Sequence, residues 1–259
     1  MTDLSQKTDK ILRVNNLQLA YGDYEVLKGV SFHALRGECL IVMGGSGCGK
    51  STLLKSMVGL LEPLDGEVTV DSQNIWSLDV DVQEAVLRKF GVLFQGGALW
   101  GSMNLLENVS LPLEIYTDLN PSEVEGLARY KLNLVGLSGY SEFYPAQLSG
   151  GMKKRAGLAR AMALDPDILF LDEPSAGLDP VNSHRLDNLI NELKESLGIT
   201  FVVVTHELAS IFDIADYSIF LDGKKKTLVD QGKPADLREN SKFEEVRAFL
   251  HRGIPALEK

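Results

Sequence analysis

Cysteine is scarce in this chain. Cys39 and Cys48 are the only two in 259 residues. One pair cannot staple a chain of this length, so no disulfide framework is expected and a reducing compartment fits. Long apolar runs are missing too. No stretch approaches the ~20 residues a spanning helix needs, so membrane contact is expected to run through a partner. Thr2 to Lys10 is polar with no apolar centre, and it does not read as a secretory signal. Positive charge is in deficit: 26 Lys and Arg stand against 36 Asp and Glu, a formal net charge of −10. Such a surface repels polyanions, which argues against nucleic acid and anionic lipid surfaces as partners. No internal repeat or low-complexity segment is visible. At 44% hydrophobic residues, the chain has enough apolar material for a core.

Strand-like and helix-like segments alternate. Val14 to Ala20 has the period of two of a half-buried strand, and Val26 to Leu35 reads similarly. Cys39 to Met43 is a continuous apolar run that meets glycines, as a strand buried on both faces does. Lys50 to Val58 reads as a helix stopped near Gly59. Further strands are expected at Gly66 to Val70, Phe90 to Phe94, Ile168 to Leu171 and Thr200 to Val204. Between about 97 and 165 the texture turns helical, with helices at Pro121 to Leu134 and Met152 to Leu164. Val181, Leu186, Leu189, Ile190, Leu193 and Leu197 share one helical face, with Gly198 as the stop. A hairpin is expected around a turn at Asp222-Gly223. From about 234 to 259 the chain reads as two short polar helices and a frayed tail.

Gly44-Gly-Ser-Gly-Cys-Gly-Lys-Ser51 fits G-x-x-x-x-G-K-[ST] between a predicted strand and a predicted helix. Glycines at Gly44, Gly45, Gly47 and Gly49, with Ser46 and Cys48 between them, let backbone N–H groups close around an anion. The helix that begins near Lys50 points its positive end at the same place. Lys50 neutralises phosphate charge, and the Ser51 hydroxyl is suited to ligate Mg2+.

A triphosphate site also needs a carboxylate for the metal and a group to activate water. Asp172-Glu173 ends a buried strand, where ligands bind in open α/β sheets. Asp172 is assigned to the metal and Glu173 to the attacking water. His206 directly follows the strand at Thr200 to Val204. It faces the γ-phosphate if that strand lies parallel to the phosphate-loop strand. Leu148-Ser-Gly-Gly151 opens another predicted helix. Ser149, Gly150 and Gly151 make either a plain helix cap or a second anion cradle that serves a nucleotide on another chain.

Taken together and in this order, these motifs resemble the nucleotide-binding domain of ABC transporters over about Leu12 to Gly232. The resemblance implies a single α/β domain: a P-loop NTPase (RecA-like) core with an antiparallel β subdomain, a helical subdomain at about 97–165 and a C-terminal extension at about 234–259. It matches Tyr21 to the aromatic residue that stacks on adenine and Gly44 to Thr52 to the Walker A loop. Gln95 matches the Q-loop glutamine that touches Mg2+ and the attacking water. Leu148 to Met152 matches the signature motif, with Met152 where the family usually has Gln. Asp172 closes Walker B, Glu173 is the catalytic base, Ala176 to Asp179 is the D-loop and His206 the switch histidine. ATP and Mg2+ are the implied ligands. Two chains are expected to pair head to tail, each presenting Ser149, Gly150 and Gly151 to the other's ATP.

Phe94-Gln-Gly-Gly-Ala-Leu-Trp100 and Leu148-Ser-Gly-Gly-Met-Lys-Lys-Arg-Ala156 resemble the branch of that family serving Mce-type lipid transport. That branch implies phospholipid as cargo, in a system that maintains outer-membrane lipid asymmetry. It implies a multi-spanning permease, an Mce-domain lipid carrier and a small STAS-like protein as partners. It also implies a peripheral location on the cytoplasmic face of a bacterial inner membrane. An importer for a small solute is the alternative. The permease contact is expected at Gly96 to Pro112, where Leu99, Trp100, Met103, Leu105 and Leu106 either pack internally or line a groove. Phe243, Val246, Phe249 and Leu250 make one helical face that caps its own domain or reaches a neighbouring chain.

Overall fold

The computed structural model describes residues 9–251. The polar start before residue 9 and the tail after residue 251 lie outside the described residues.

A parallel core carries the fold. Strand β3 (Cys39–Gly44) lies between β8 (Thr200–Val204) and β9 (Tyr217–Asp222), parallel to both. Beyond β8 come β7 (Ile168–Asp172) and β6 (Phe90–Leu93), also parallel. Strand β10 (Thr227–Gly232) closes the opposite edge, antiparallel to β9, giving the order β10-β9-β3-β8-β7-β6. The central strands are apolar throughout because both faces are covered. Cys39, Ile41 and Met43 of β3 enter one core, with Phe201 and Val203 of β8 and Leu169 and Leu171 of β7. Leu40 and Val42 enter a second core on the other face, with Val202, Val204, Ile168 and Phe170.

That second core is roofed by an antiparallel sheet of order β2-β1-β4-β5. It comprises β1 (Lys10–Tyr21), β2 (Tyr24–Leu35), β4 (Asp65–Val70) and the short β5 (Gln73–Asn74). Its β1 and β2 strands are longer than the alternation in sequence suggests. Helix α1 (Lys50–Met57) follows β3, and α2 (Val80–Leu87), which the sequence reading missed, precedes β6.

Between β6 and β7 lie α3 (Leu105–Tyr116), α4 (Pro121–Leu134) and α5 (Gly150–Ala161). From sequence, Gly96 to Pro112 reads as a segment more apolar than a loop should be, with no helix expected there. A capping box decides otherwise: the Asn104 side chain accepts from Glu107 N, and Glu107 Oε2 accepts from Asn104 N at 2.7 Å. Helix α5 starts two residues earlier than expected, with Ser149 as its cap.

Helix α6 (Pro180–Leu197) is capped by Asp179, which accepts from Val181 N and Asn182 N, and ends at Gly198 with φ 68°. Leu186, Leu189, Ile190 and Leu193 are buried, as their spacing requires. Val181 and Leu197 are not: they are 61% and 44% exposed, because the helix ends run past the sheet they cover. Helix α7 (Leu208–Ile214) follows β8, and the β9–β10 hairpin turns over four residues rather than two. Helices α8 (Pro234–Asn240) and α9 (Glu244–His251) pack on each other and on the main body. Val246, Phe249 and Leu250 are buried, and Phe249 meets Phe220 edge to face at 5.3 Å. The described part of the C-terminal extension therefore caps its own chain.

Candidate nucleotide site

The loop from β3 to α1 turns through Gly44, Gly47 and Gly49, at φ 149°, 75° and 100°. Glycine is forced at Gly44, where a Cβ would lie 2.4 Å from the Leu221 carbonyl oxygen and 2.7 Å from Cys48 Sγ. The loop curls tightly enough for Lys50 Nζ to donate to the carbonyls of both Gly44 and Gly45, each at 3.0 Å. Lys50 is 8% exposed, so its charge is concentrated within the loop. Cys48 turns inward, and burial pushes its thiol pKa up. It is therefore a packing residue of the loop, an inert thiol rather than a nucleophile.

An open cleft of about 840 Å³ lies over this loop. Of the expected residues, Tyr21, Gly44, Gly45, Ser46, Gly47, Gly49, Lys50, Ser51, Thr52, Gln95, Glu173 and His206 line it. Asp172 approaches from beneath: Ser51 Oγ donates to its Oδ1 at 3.4 Å. Burial raises the Asp172 pKa, and the neighbouring Glu173 adds to the rise. The Ser51 hydroxyl and the ammonium groups of Lys50 and Lys154 oppose it.

Glu173 sits at φ +48°, a strained conformation for a side chain of its kind. Its N–H donates to Val204 O at 2.8 Å, and His206 Nδ1 lies 2.7 Å from its Oε1. Its other oxygen, Oε2, is buried without a hydrogen-bond partner among the described residues. A buried carboxylate oxygen left unpaired is costly unless a water or substrate atom completes it. The parallel pairing of β8 with β3 sets His206 beside the phosphate loop, as its position after β8 suggested.

Ser149, Gly150 and Gly151 do not line the cleft. Ser149 and Gly150 are exposed at the start of α5, where Ser149 Oγ accepts from Met152 N at 3.3 Å. Four residues outside the sequence reading of this site do line it: Tyr24, Val26, Leu208 and Phe249. Tyr24 carries the Lys226 ammonium over its ring at 4.7 Å. Phe249 arrives from 200 positions downstream of the phosphate loop, where no local signal points to it.

Lys154 was also missed. Its ammonium is buried behind Glu173 and donates to the carbonyls of Gln95 and Glu173. Deeper still, Ser210 Oγ donates to Asp187 Oδ2 at 2.8 Å and lies 3.5 Å from Ser175 Oγ. Burial pushes the Asp187 carboxyl up to about 6.

A glycine-lined anion loop at the C-terminal edge of a parallel sheet, facing a carboxylate pair and a histidine, defines a P-loop nucleotide-binding cassette. The chain belongs to the ABC transporter family, whose model matches residues 27–176. It is 36% identical over 247 residues to "Intermembrane phospholipid transport system ATP-binding protein MlaF" of Escherichia coli K12, covering 95% of this chain and 91% of that protein. It is 39% identical over 240 residues to "Probable ribonucleotide transport ATP-binding protein mkl" of Mycobacterium tuberculosis H37Rv. That match covers 93% of this chain, which spans 66% of the mycobacterial protein's length, just under two thirds. Among solved structures, the ADP- and Pi-bound dimer of the cassette MJ0796 superposes with a TM-score of 0.78 at 32% identity, over 86% of this chain and 98% of that one. Clostridium perfringens cbiO1, part of the transporter complex cbiONQ, gives 0.82 at 28% identity, over 95% and 96%.

Proposed function

We propose that this chain binds and hydrolyses ATP as the motor subunit of a membrane transporter that moves phospholipid. The observation that carries the hydrolytic reading is the Glu173 carboxylate. One of its oxygens is held by His206, the other is buried and unpaired among the described residues, and the residue lines the cleft over the phosphate loop. Oε2 is the acceptor for the attacking water's proton, and His206 keeps the carboxylate aimed. Lys50 and the loop N–H groups hold the β- and γ-phosphates, and Tyr21 offers its exposed ring to adenine. Gln95 lines the same cleft and orients the water.

Ser51 Oγ and Asp172 supply a hard oxygen pair that fits Mg2+. Among the described residues, no group of three or more His, Cys, Asp or Glu is placed to hold a metal alone. That suits an ion whose remaining ligands are phosphate oxygens and water. When bound, Mg2+ supplies charge neutralisation at the phosphates.

Ser149 and Gly150 lie exposed at the start of α5, with Gly151 buried beside them and all three outside their own cleft, which leaves this helix start open to a second chain's nucleotide. The solved MJ0796 cassette is a dimer, which supports a head-to-tail homodimer with ATP at each junction. No helix among the described residues is long and apolar enough to cross a membrane. A permease partner for cargo movement rests on the likeness to MlaF, an ATP-binding protein of a transport system. The sequence reading set that contact on Gly96 to Pro112. Leu105 is buried, Leu99 and Leu106 pack against the core, and Trp100 remains 58% exposed. A better seat for a permease helix is the groove of about 360 Å³ bounded by Leu87, Arg88, Phe90, Pro112 and Tyr116. Phospholipid as cargo rests on the likeness to MlaF. Outer-membrane lipid asymmetry as the role, and an Mce-domain carrier and STAS-like subunit as partners, rest on the resemblance of the Phe94–Trp100 and Leu148–Ala156 strings to the Mce-type branch. The assembly would lie on the cytoplasmic face of the inner membrane. The likeness to the mycobacterial probable ribonucleotide transport protein offers ribonucleotide as the rival cargo.

Two measurements test this. Glu173→Gln should bind ATP with near-parental affinity, cut turnover by ~10²–10⁴-fold and accumulate as an ATP-bound dimer. Parental turnover in that variant removes the base assignment. Chain purified from gently solubilised membranes should carry a permease and phospholipid. A permease that comes with a soluble solute-binding protein instead overturns the cargo and leaves the motor intact.

A further inference from the structure

Lys154 holds a position that packing alone does not explain. It lies on α5, is 6% exposed, and donates to two backbone carbonyls, those of Gln95 and Glu173. Burying an ammonium is expensive unless its protons are paired. Here two of the three are, and the Asp172 and Glu173 carboxylates add favourable field. Even so, burial holds the lysine pKa below its usual value. An apolar side chain would fill this place without that cost, so the cation has work that an apolar group cannot do.

Both carbonyls belong to the hydrolytic site. Gln95 opens the loop that leaves β6, and the rest of that loop is fastened by the same helix: Arg160 donates to the carbonyls of Gly97 and Ala98. Glu173 carries the carboxylate assigned to water activation, on a backbone at φ +48°. That strained backbone is held from two sides, by its own N–H on Val204 O and by Lys154 on its carbonyl. Five residues before Lys154, the same helix is capped by Ser149, which faces outward. Five residues of α-helix span ~7.5 Å, a little over one turn, and move as a rigid unit.

We propose that Lys154 is a positioning residue through which α5 couples the two nucleotide sites of the dimer. A nucleotide on the partner chain fixes the Ser149 end of α5. Lys154 then fixes the Glu173 and Gln95 backbones of its own chain. Withdrawal of that helix loosens both carbonyls together, and the carboxylate loses its aim. The coupling is mechanical: the Lys154 ammonium acts through the two backbone carbonyls it binds. This rests on the head-to-tail ATPase reading above.

The test uses the full chain in complex with its membrane subunit, comparing Lys154→Met and Lys154→Arg with the parent. The readouts are kcat, KM, the Hill coefficient for ATP and equilibrium nucleotide binding. Lys154→Met should lower kcat by ~10-fold or more, as loss of alignment at a reacting centre does. Nucleotide affinity should stay within about two-fold of the parent, and the Hill coefficient should fall to about 1. Lys154→Arg, which keeps the charge and donors, should recover most of kcat and the cooperativity. If the Met variant does not fold, Lys154→Gln replaces it and must give the same split between kcat and affinity. Unchanged kcat and Hill coefficient overturn the inference. So does a loss of kcat and affinity in equal measure, which marks a merely structural lysine. Absence of turnover in the parent overturns the ATPase reading itself, whereas parental turnover with an indifferent Lys154 overturns this inference alone.

Discussion

His206 Nδ1 and Glu173 Oε1 stand 2.7 Å apart, 33 positions distant in sequence, and tie the end of β8 to the end of β7. The contact fixes one oxygen of the carboxylate and leaves the other buried without a partner among the described residues. His206→Ala removes the tether without touching the phosphate loop. Turnover should fall by ~10²-fold while nucleotide affinity stays near parental, as expected when geometry rather than binding is lost. Steady-state kinetics beside equilibrium titration with a fluorescent nucleotide separates the two.

Ser149 is exposed and lies outside its own cleft. Ser149→Arg should therefore leave nucleotide binding by a single chain intact. In the Glu173→Gln background it should abolish the ATP-dependent dimer, because the bulk falls at the junction. Light scattering after size exclusion, with and without ATP, reads this directly. A dimer that persists removes Ser149 from the interface.

Asp187 carries a pH prediction. Burial, with Asp213 and Glu207 nearby, raises its carboxyl to about 6, against the Ser210 hydrogen bond and His184. The folded state thus holds this proton more tightly than the unfolded state, where the carboxyl titrates near ~3.9. As pH rises from about 4 to 6, the unfolded chain releases its proton first and the fold loses stability. Above about 6 the penalty is constant, about 3 kcal/mol. Asp187→Asn removes the ionisation and keeps an oxygen for Ser210. Its stability relative to the parent should climb across that window and then level off. Urea unfolding at a series of pH values gives the difference, and a flat difference contradicts the assignment.

Gly91 of β6 lies against α5. A Cβ there would stand 2.1 Å from the Ala161 carbonyl oxygen and 2.4 Å from Leu169 Cδ2. The obstacle is partly backbone and cannot rotate away. Gly91→Ala should cost ~1–3 kcal/mol through displacement of the helix that carries Lys154. Chemical denaturation measures this loss, and a neutral substitution would mean that α5 is loosely seated.

How far the sequence could be read depended on how local each feature is. The phosphate loop is contiguous, and its glycines, Lys50 and Ser51 act together because one turn of chain carries them. Asp172, Glu173 and His206 were legible because strands buried on both faces are continuous apolar runs, so their ends are visible. Helix α3 was not expected, because Gly96 to Pro112 was read as one apolar segment and the Asn104–Glu107 capping box that starts the helix was not used. Lys154 was not legible at all. A lysine on a helix ordinarily faces water, and its two carbonyl partners lie 59 and 19 positions away.

The sequence by itself determined the phosphate loop, the acidic and histidine-bearing strand ends, the family and the apolar strands of the core. These depend on neighbours along the chain and on the period of burial. Only the tertiary structure decided that Glu173 is strained and half-tethered, that Asp187 is buried with an unpaired oxygen, that Phe249 returns to the cleft and that the Lys154 ammonium of α5 binds the Gln95 and Glu173 carbonyls. Those facts depend on which distant segments the parallel sheet brings together. Burial, not chain order, sets their electrostatics.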